Sequence, residues 1–330
     1  MRLLHTLLLV AAPMLLSAQS PYRLVADGTT DTYSLIEQAG FFAETTGKQT
    51  PDDFMCHSSY RHISQTYDET LGRYVFAFDI HVDYQEGGKT VTDGNKSELT
   101  DRQRNEIKCM DSVKGTVAKE GETISYRWLF RLPEGMKTTG EFCHIHQIKG
   151  MGSGEEVAHP VFTLTCRTTG SSKQVLQVIN VPYEGSSNVN LAQTDLKPLL
   201  GKWVEATEVV TVGRHGRYSL TLRDVETGKK IVAVEESDIM VWRDTNDAST
   251  MRGKWGIYRS LGQGLSLKSS LRSERVLFAD FEALKGDINA GVETVEKEIQ
   301  DNTVYDLTGR RVENPGPGMY IQNRKVIIIK

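Results

Sequence analysis

The sequence predicts an all-β protein, a two-sheet antiparallel β-jelly-roll sandwich with a small β appendage at its C terminus. Apolar and polar residues alternate with a period of two after residue 70, and a sustained 3.6-residue period is nearly absent. Turn signals such as Glu86-Gly-Gly and Gly150-Met-Gly-Ser-Gly154 separate the runs. Many strands with one apolar face each are best buried as two facing sheets.

The clearest strand spans residues 74–83, where Phe76 and Phe78 share an apolar face. Two segments, 33–42 and 283–290, are the only ones with a helical character. The remaining runs that alternate, and that we expect to be strands, are 102–109, 123–132, 141–149, 160–167, 173–181, 203–211, 216–224, 230–235, 254–260 and 274–282.

Length and composition set the class of protein. The chain has 330 residues, of which 38% are hydrophobic and 25% charged, as in an average globular protein. A chain of this length buries a sizeable core, so its size is sufficient for an enzyme. The formal net charge of −4 offers no basic surface to nucleic acid, and we predict no nucleic-acid partner.

The N terminus has the pattern of a secretory signal peptide. Arg2 precedes a long apolar run that ends in Ser17-Ala18. The alternative, a retained membrane anchor, needs about 20 uninterrupted apolar residues, and this run is interrupted by polar residues and a proline. We expect residues 1–18 to be removed and the protein to be secreted, periplasmic or attached to the cell surface, without a membrane span.

The rest of the chain divides into three predicted parts. Residues 21–285 carry the strand pattern and form the main β domain. Charged and small residues replace that pattern at 286–302, which we interpret as a linker. Residues 303–330 form the small C-terminal β module.

Four cysteines, Cys56, Cys109, Cys143 and Cys166, belong to a chain that is expected to leave the cytosol, where disulfides are permitted. Cys143 and Cys166 flank a turn-rich loop. They either face each other in a hairpin or act as small buried hydrophobic residues. The sequence has no CxxC motif, which argues against a structural zinc site.

The first segment with chemical potential is the charged strand 101–108. Period-two spacing places Arg102, Arg104, Glu106 and Lys108 on one face. Burying such a face in the core is too costly. It therefore lines either a wet cleft or an ordinary exposed surface with mixed ion pairs.

The second segment is the strand 141–149. Period-two spacing places His144 and His146 on one face and Gln147 and Lys149 on the other. A histidine is a general base at neutral pH without extreme tuning of its pKa. The alternative is a metal site completed by His159 or His81, but no spacing fixes such a third ligand.

The third segment is Lys254-Trp-Gly-Ile-Tyr258. Lys254, Gly256 and Tyr258 share a face, and the glycine leaves room for a close approach. The alternative interpretation is an interior strand with an ordinary aromatic residue.

Together the three segments resemble the signature strands of alginate-lyase-like jelly-roll polysaccharide lyases, which have a concanavalin-like fold. That family carries Arg-x-Glu-x-Arg, Gln-Ile-His and Lys-x-Gly-x-Tyr in this order. Here they appear as Arg104-Asn-Glu-Ile-Lys108, His144-Ile-His146 and Lys254-Trp-Gly-Ile-Tyr258. Lys108 and His144 depart from the family pattern, which favours a uronate polymer other than alginate.

The resemblance implies β-elimination on a uronic-acid-containing polysaccharide, in which a base removes the C5 proton and the 4-linked oxygen leaves. It implies an acidic polysaccharide as partner, a monomer, and no cofactor or catalytic metal, with a structural calcium left open. The roles it implies are Arg104 and His144 on the carboxylate, His146 as base, Tyr258 as proton donor or as both acid and base, and Arg102, Glu106, Gln147, Lys149 and Lys254 in substrate binding.

The C-terminal tail carries a second resemblance. Its elements Tyr305-Asp-Leu-Thr-Gly-Arg310 and Gly318-Met-Tyr-Ile321 resemble the C-terminal sorting module of secreted Bacteroidetes proteins. The alternative is a hairpin that only packs on the main domain.

Two other functions compete with the lyase. A glycoside hydrolase needs two carboxylates about 5 to 9.5 Å apart, for which Glu155-Glu156 and Glu235-Glu236 are poorly placed. A non-catalytic carbohydrate-binding protein needs exposed aromatic platforms, for which Trp203, Trp242 and Tyr126 are available, although such residues more often lie in a core.

Overall fold

The structure is a computed structural model that describes residues 20–44, 60–94, 101–110, 112–152, 157–170, 172–243, 250–289, 304–306, 310–312, 315–322 and 325–329. The predicted signal peptide, Cys56 and most of the predicted linker lie outside the described residues. Among the described residues, no helix has the length and apolar character needed to cross a membrane.

The elements follow the chain in a regular order. The single helix longer than one turn in the described part of the chain is α1 (Thr32–Gln38). The strands are β1 (Tyr22–Leu24), β2 (Phe41–Glu44), β3 (Ile63–Asp68), β4 (Arg73–Ile80), β5 (Tyr84–Glu86), β6 (Lys89–Val91), β7 (Arg102–Cys109), β8 (Val117–Ala118), β9 (Thr123–Arg131), β10 (Cys143–Gly150), β11 (Phe162–Thr169), β12 (Lys173–Asn180), β13 (Val189–Asp195), β14 (Trp203–Thr211), β15 (Gly213–Asp224), β16 (Lys230–Val241), β17 (Met251–Ser260), β18 (Glu274–Lys285), β19 (Val304–Tyr305), β20 (Arg311–Val312), β21 (Gly318–Gln322) and β22 (Lys325–Ile329).

Two large antiparallel sheets form the sandwich. The first has the order β16-β15-β14-β9-β18-β4-β3, with β1 paired to β18. The second has the order β13-β12-β11-β10-β17-β7-β2, with β8 paired to β17. A separate sheet, β20-β19-β21-β22, is the C-terminal appendage. The predicted all-β jelly-roll sandwich is confirmed.

The hydrophobic core lies between the two large sheets. The Trp128 ring on β9 meets the Trp255 ring on β17 with centroids 5.8 Å apart, and Phe281 on β18 meets Trp255 at 5.7 Å. All three side chains are at most 1% exposed, and burial of each large apolar side chain contributes roughly 2 to 3 kcal/mol. Trp255 and Ile257 point into this core. Side chains alternate along a strand, so Lys254 and Tyr258, which flank this pair in sequence, point to the opposite face.

The predicted helical segments are only partly correct. Helix α1 begins after the N-cap Asp31, whose carboxylate accepts a hydrogen bond from the Ser34 amide at 3.1 Å. It ends at Gln38, because Gly40 at φ +82° turns the chain and β2 follows. The helix predicted at 283–290 is wrong, since β18 continues to Lys285 through cross-strand pairing with β9.

The cysteines follow the second of their two interpretations. Cys109, Cys143 and Cys166 are free and buried, so Cys143 and Cys166 form no hairpin disulfide. Burial raises the pKa of the Cys143 thiol to about 12. They act as small buried hydrophobic residues.

Gly256 occupies a position on β17 that only glycine fits. Its φ is +147°, and an added Cβ would lie 2.1 Å from the carbonyl oxygen of Asn105 on β7. The close approach expected at this glycine is therefore made by the neighbouring strand.

We predict that Gly256→Ala lowers the free energy of unfolding by about 3 kcal/mol or more, because it combines strained backbone with a clash against a neighbouring strand. Gly228→Ala is the matched control, since Gly228 has φ +67° and no atom within 4 Å of the added Cβ. It should lose only about 1 kcal/mol. Urea unfolding measures both values, and equal losses would contradict the packing explanation.

Candidate active site

Three adjacent strands of the second sheet, β10, β17 and β7, carry the predicted site residues, and β2 lies next to β7. The pairing of β10, β17 and β7 places six residues in two rows that run across the sheet. One row is His144, Tyr258 and Arg104, and the next is Gln147, Lys254 and Lys108. These rows lie on the face that points away from the core, as the positions of Trp255 and Ile257 require.

An ion-pair network occupies the middle of this face. The Lys254 ammonium lies 2.8 Å from Glu106 Oε2 and 3.1 Å from Glu44 Oε2. The Lys108 ammonium lies 3.2 Å from Glu44 Oε2. Arg104 Nη1 bonds Glu44, and Arg104 Nε lies 3.5 Å from Glu106 Oε2. Three cations thus share two carboxylates, and each cation is held in one orientation.

Glu44 of β2 was missed by the sequence reasoning. Burial alone would raise the pKa of its carboxyl, but the charges of Lys254, Arg104 and Lys108 hold that pKa well below its ordinary value. Glu44 therefore stays ionised. Residues 33–42 were expected to be helical, whereas Phe41–Glu44 forms β2, and no local sequence pattern marks Glu44.

Tyr258 lies in the row that also contains His144 and Arg104, and its side chain is 8% exposed. Its hydroxyl accepts a hydrogen bond from Arg102 Nη1 at 3.1 Å. The Arg104 guanidinium lies 4.2 Å from the centre of its ring, a cation–π contact. Phe142 packs on the ring at 5.0 Å. The phenol is fixed on both sides, and its oxygen lies beside a positive charge.

His144 lies next to Tyr258, with ring centroids 5.9 Å apart, and stacks on Phe142 at 4.9 Å. Burial and then the charges of Arg167, Lys254 and Arg104 lower the pKa of His144 to about 3. The imidazole is therefore neutral at neutral pH, with one donor and one acceptor nitrogen.

Lys149 lies further along β10, opposite Arg252 of β17. Its ammonium donates to the carbonyl oxygen of Ala158 at 2.6 Å. Burial and then the charges of Lys254 and Arg104 lower the pKa of Lys149 to about 7. Lys149 is thus a group on this face whose charge changes near neutral pH.

His146 is not on this face, and the prediction that it shares a face with His144 is wrong. Its ring is 1% exposed, lies 4.5 Å from the Trp128 ring, and its Nε2 is 2.9 Å from Glu208 Oε2 on the first sheet. The cause is a register irregularity between His144 and His146. It reverses the alternation, so Gln147 instead lies on the outer face and donates to Glu106.

The alternative metal site built on His146 is not formed. Among the described residues, His159 bonds Glu184 through Nδ1. His81 lies beside Asp93. His146 bonds Glu208 through Nε2, so the three imidazoles each bond or face a different carboxylate.

The structure also bears on residues considered for a carbohydrate-binding protein or a glycoside hydrolase. Trp203 is 4% exposed and donates to Asp68 at 3.0 Å, and Tyr126 is fully buried, so neither is a stacking platform. Trp242 is half-buried beneath the Arg214 guanidinium, 5.2 Å from the ring centre. Glu155-Glu156 lies outside the described residues.

A cavity elsewhere does not compete with this face. It has a volume of about 580 Å³ and lies at the first sheet, lined in part by Arg131, Glu134, Arg272 and Arg275. Its lining has arginines and one glutamate but no histidine, tyrosine or lysine. We therefore take the outer face of the second sheet, where titratable groups converge, as the candidate site.

Cations outnumber carboxylates on that face. The cations are Arg102, Arg104, Lys108, Lys149, Arg252 and Lys254, and the carboxylates are Glu44, Asp101 and Glu106. The surplus gives this part of the sheet a positive potential, which favours an anionic ligand.

No protein-family model matches the sequence, and no curated protein matches it. Solved structures are similar in fold. A family 7 alginate lyase in complex with a product is 12% identical, with a TM-score of 0.51 over 79% of this chain and 100% of that chain. An endo-β-1,4-glucuronan lyase from the fungus Trichoderma reesei is 15% identical, with a TM-score of 0.45 over 76% of this chain and 96% of the other. The first likeness shows that this chain has the sandwich fold of that lyase.

Proposed function

We propose that the protein is an exported polysaccharide lyase that cleaves a uronic-acid-containing polysaccharide by β-elimination. The observation that carries the proposal is the row of His144, Tyr258 and Arg104 across one cationic sheet face. The structural neighbours support it, since one is an alginate lyase and another a glucuronan lyase on the same type of sandwich.

Elimination places specific demands on the site. Removal of the C5 proton develops negative charge on the uronate carboxylate, and departure of the 4-linked oxygen requires a proton. The site therefore needs donors for the carboxylate, a base, and an acid. These demands are met here by side chains alone, and the proposed step uses no cofactor.

Arg104 and His144 are the proposed donors to the uronate carboxylate. Arg104 is oriented by Glu44 and Glu106, so it need not reorganise when charge develops. His144 is neutral because of its lowered pKa. Its N–H therefore donates a hydrogen bond to the carboxylate while the imidazole itself carries no charge. One preorganised donor of this kind is worth about 100- to 1,000-fold in rate.

Tyr258 is the proposed proton-transfer group. The Arg102 guanidinium, which donates to the phenol oxygen at 3.1 Å, is placed to stabilise negative charge on that oxygen when its proton leaves. With the C5 proton and the leaving oxygen on one side of the sugar, the Tyr258 phenolate accepts the C5 proton, and the phenol so formed donates it to the 4-linked oxygen as the bond to C4 breaks. His146 is not the base, because it is bonded to Glu208 inside the core.

The hydrolase alternative is disfavoured by the state of the carboxylates. A glycosidase needs one carboxylic acid that holds its proton at working pH. Glu44 has a pKa well below its ordinary value. Glu106 is fully buried and bonded to Lys254 at 2.8 Å.

The proposal is tested by incubation with alginate, glucuronan, pectic and ulvan-type polymers and glycosaminoglycans. A lyase generates a C4=C5 double bond, which absorbs in the ultraviolet. Products that gain water without this absorbance would indicate a hydrolase, and binding without products would indicate a carbohydrate-binding protein.

We predict that Tyr258→Phe lowers kcat at least about 100-fold, because the group that exchanges protons with the sugar is removed. The fold should be retained, since the ring contacts with Phe142 and Arg104 remain. Tyr183→Phe is the matched control, as Tyr183 is 65% exposed, and its kcat should be unchanged. A Tyr258→Phe rate within about twofold of the parent would refute the assignment.

We predict that His146→Ala lowers the free energy of unfolding by about 3 kcal/mol, because it removes the histidine partner of the buried Glu208 carboxylate. The kcat per folded molecule should change far less than in Tyr258→Phe. His159→Ala removes a 65% exposed side chain that also bonds a glutamate, and it should cost less than about 1 kcal/mol. A stable but inactive His146→Ala variant would restore His146 as the base.

We predict that KM rises about fivefold between about pH 6 and pH 8, as an ion pair with the uronate is lost. The pKa of Lys149 is about 7, so its ammonium is present below pH 7 and absent above it. Lys149→Arg keeps the charge and should keep KM low at both pH values. Lys149→Met should have a raised KM that is independent of pH, and an unchanged pH dependence in this variant would exclude Lys149.

A further inference from the structure

Two imidazoles and one carboxylate converge away from the candidate active site. His62 directly precedes β3, His81 directly follows β4, and Asp93 lies two residues after β6. Their ligand atoms all lie within 4.8 Å of one another. Asp93 Oδ2 is 3.0 Å from His62 Nε2 and 3.3 Å from His81 Nδ1.

The cluster is buried and its parts are held in place. His62, His81 and Asp93 are 0%, 7% and 1% exposed. The Asp93 amide donates to the His81 carbonyl oxygen at 2.9 Å, and the His81 amide donates to Asp93 Oδ2 at 2.7 Å. The Gln103 side chain donates to the carbonyl oxygens of both residues, and Arg259 Nε in turn donates to Gln103 Oε1 at 2.8 Å. The segments that carry the three side chains are thus preorganised.

We propose that His62, His81 and Asp93 bind one divalent transition-metal ion, with zinc as the preferred ion. Zinc bonds histidine nitrogen and carboxylate oxygen at about 2.0 to 2.2 Å, and a tetrahedral shell with these bonds separates its ligand atoms by roughly 3.3 Å. The separations of 3.0 and 3.3 Å between Asp93 Oδ2 and the two imidazole nitrogens match this spacing.

The ligand types select the class of metal. Calcium and magnesium take oxygen ligands, so a site with two imidazoles is unsuited to the structural calcium left open by the sequence. Imidazole suits zinc, copper, nickel and iron. The ligands come from three separate segments, so the lack of a CxxC motif was no guide to this site.

The ion would act as a structural tie, and the proposal does not depend on the proposed lyase activity. It would join the start of β3, the end of β4 and the segment after β6, and Gln103 on β7 bonds the last two of these through the carbonyl oxygens of His81 and Asp93. Gln103 lies between Arg102 and Arg104, so the tie would also steady the strand that carries these two arginines.

The test uses the tag-free protein, dialysed against metal-free buffer and then given excess Zn²⁺ or Co²⁺. We expect one zinc per chain by plasma mass spectrometry and a visible absorption spectrum of tetrahedral Co²⁺. Chelation should lower Tm by about 5 °C, because the ion binds only the folded state.

Variants locate the ion. Asp93→Asn and His81→Gln should lose the bound metal and the Tm shift. His215→Gln is the matched control, since the His215 side chain is 88% exposed and bonds Asp238 at 2.8 Å, and it should keep both. If a cluster variant fails to fold, the metal content and Tm of the parent protein decide the question.

Two results would overturn the proposal. One is a folded parent protein that binds less than about a tenth of an equivalent of Zn²⁺ and shows no change in Tm, which would mean that Asp93 only accepts hydrogen bonds from the two histidines. The other is full metal content in the folded Asp93→Asn and His81→Gln variants, which would place the ion elsewhere.

Discussion

The buried carboxylate of Glu106 is the interaction on which the candidate active site depends. It is fully buried, and it accepts from Lys254 at 2.8 Å and from Gln147, with Arg104 Nε at 3.5 Å. Three neighbouring strands are thereby joined on one face. A buried charge of this kind persists only with several partners. The partners are therefore held in fixed positions, which is the preorganisation that stabilises a developing anion.

The two faces of the second sheet differ in the polarity of their side chains. Most side chains of the inner face are apolar, and its one histidine, His146, bonds Glu208 across the core through Nε2. On the outer face, burial and then the charges of neighbouring cations lower the pKa of His144 to about 3 and that of Lys149 to about 7. The cations that favour an anionic ligand thus contribute, after burial, to the protonation of the titratable groups on this face.

Much of the site followed from strand periodicity. The strand predicted at 102–109 is observed at Arg102–Cys109, and the charged face and the position of Tyr258 were placed correctly. The period of two fails where pairing is irregular, as it is between His144 and His146. Glu44 could not be found from its neighbours in sequence, because it meets Lys254 only through the pairing of β2 with β7.

The sequence by itself determined that the protein is all-β, which strands are charged on one face, and that Tyr258 and Arg104 are candidates for chemistry. These properties are local, because each depends only on residue type and on alternation along a strand. Tertiary structure alone decided that His146 lies in the core and that Glu44 completes the ion-pair network. Both depend on strand register and on contacts between residues distant in sequence, which no local pattern encodes.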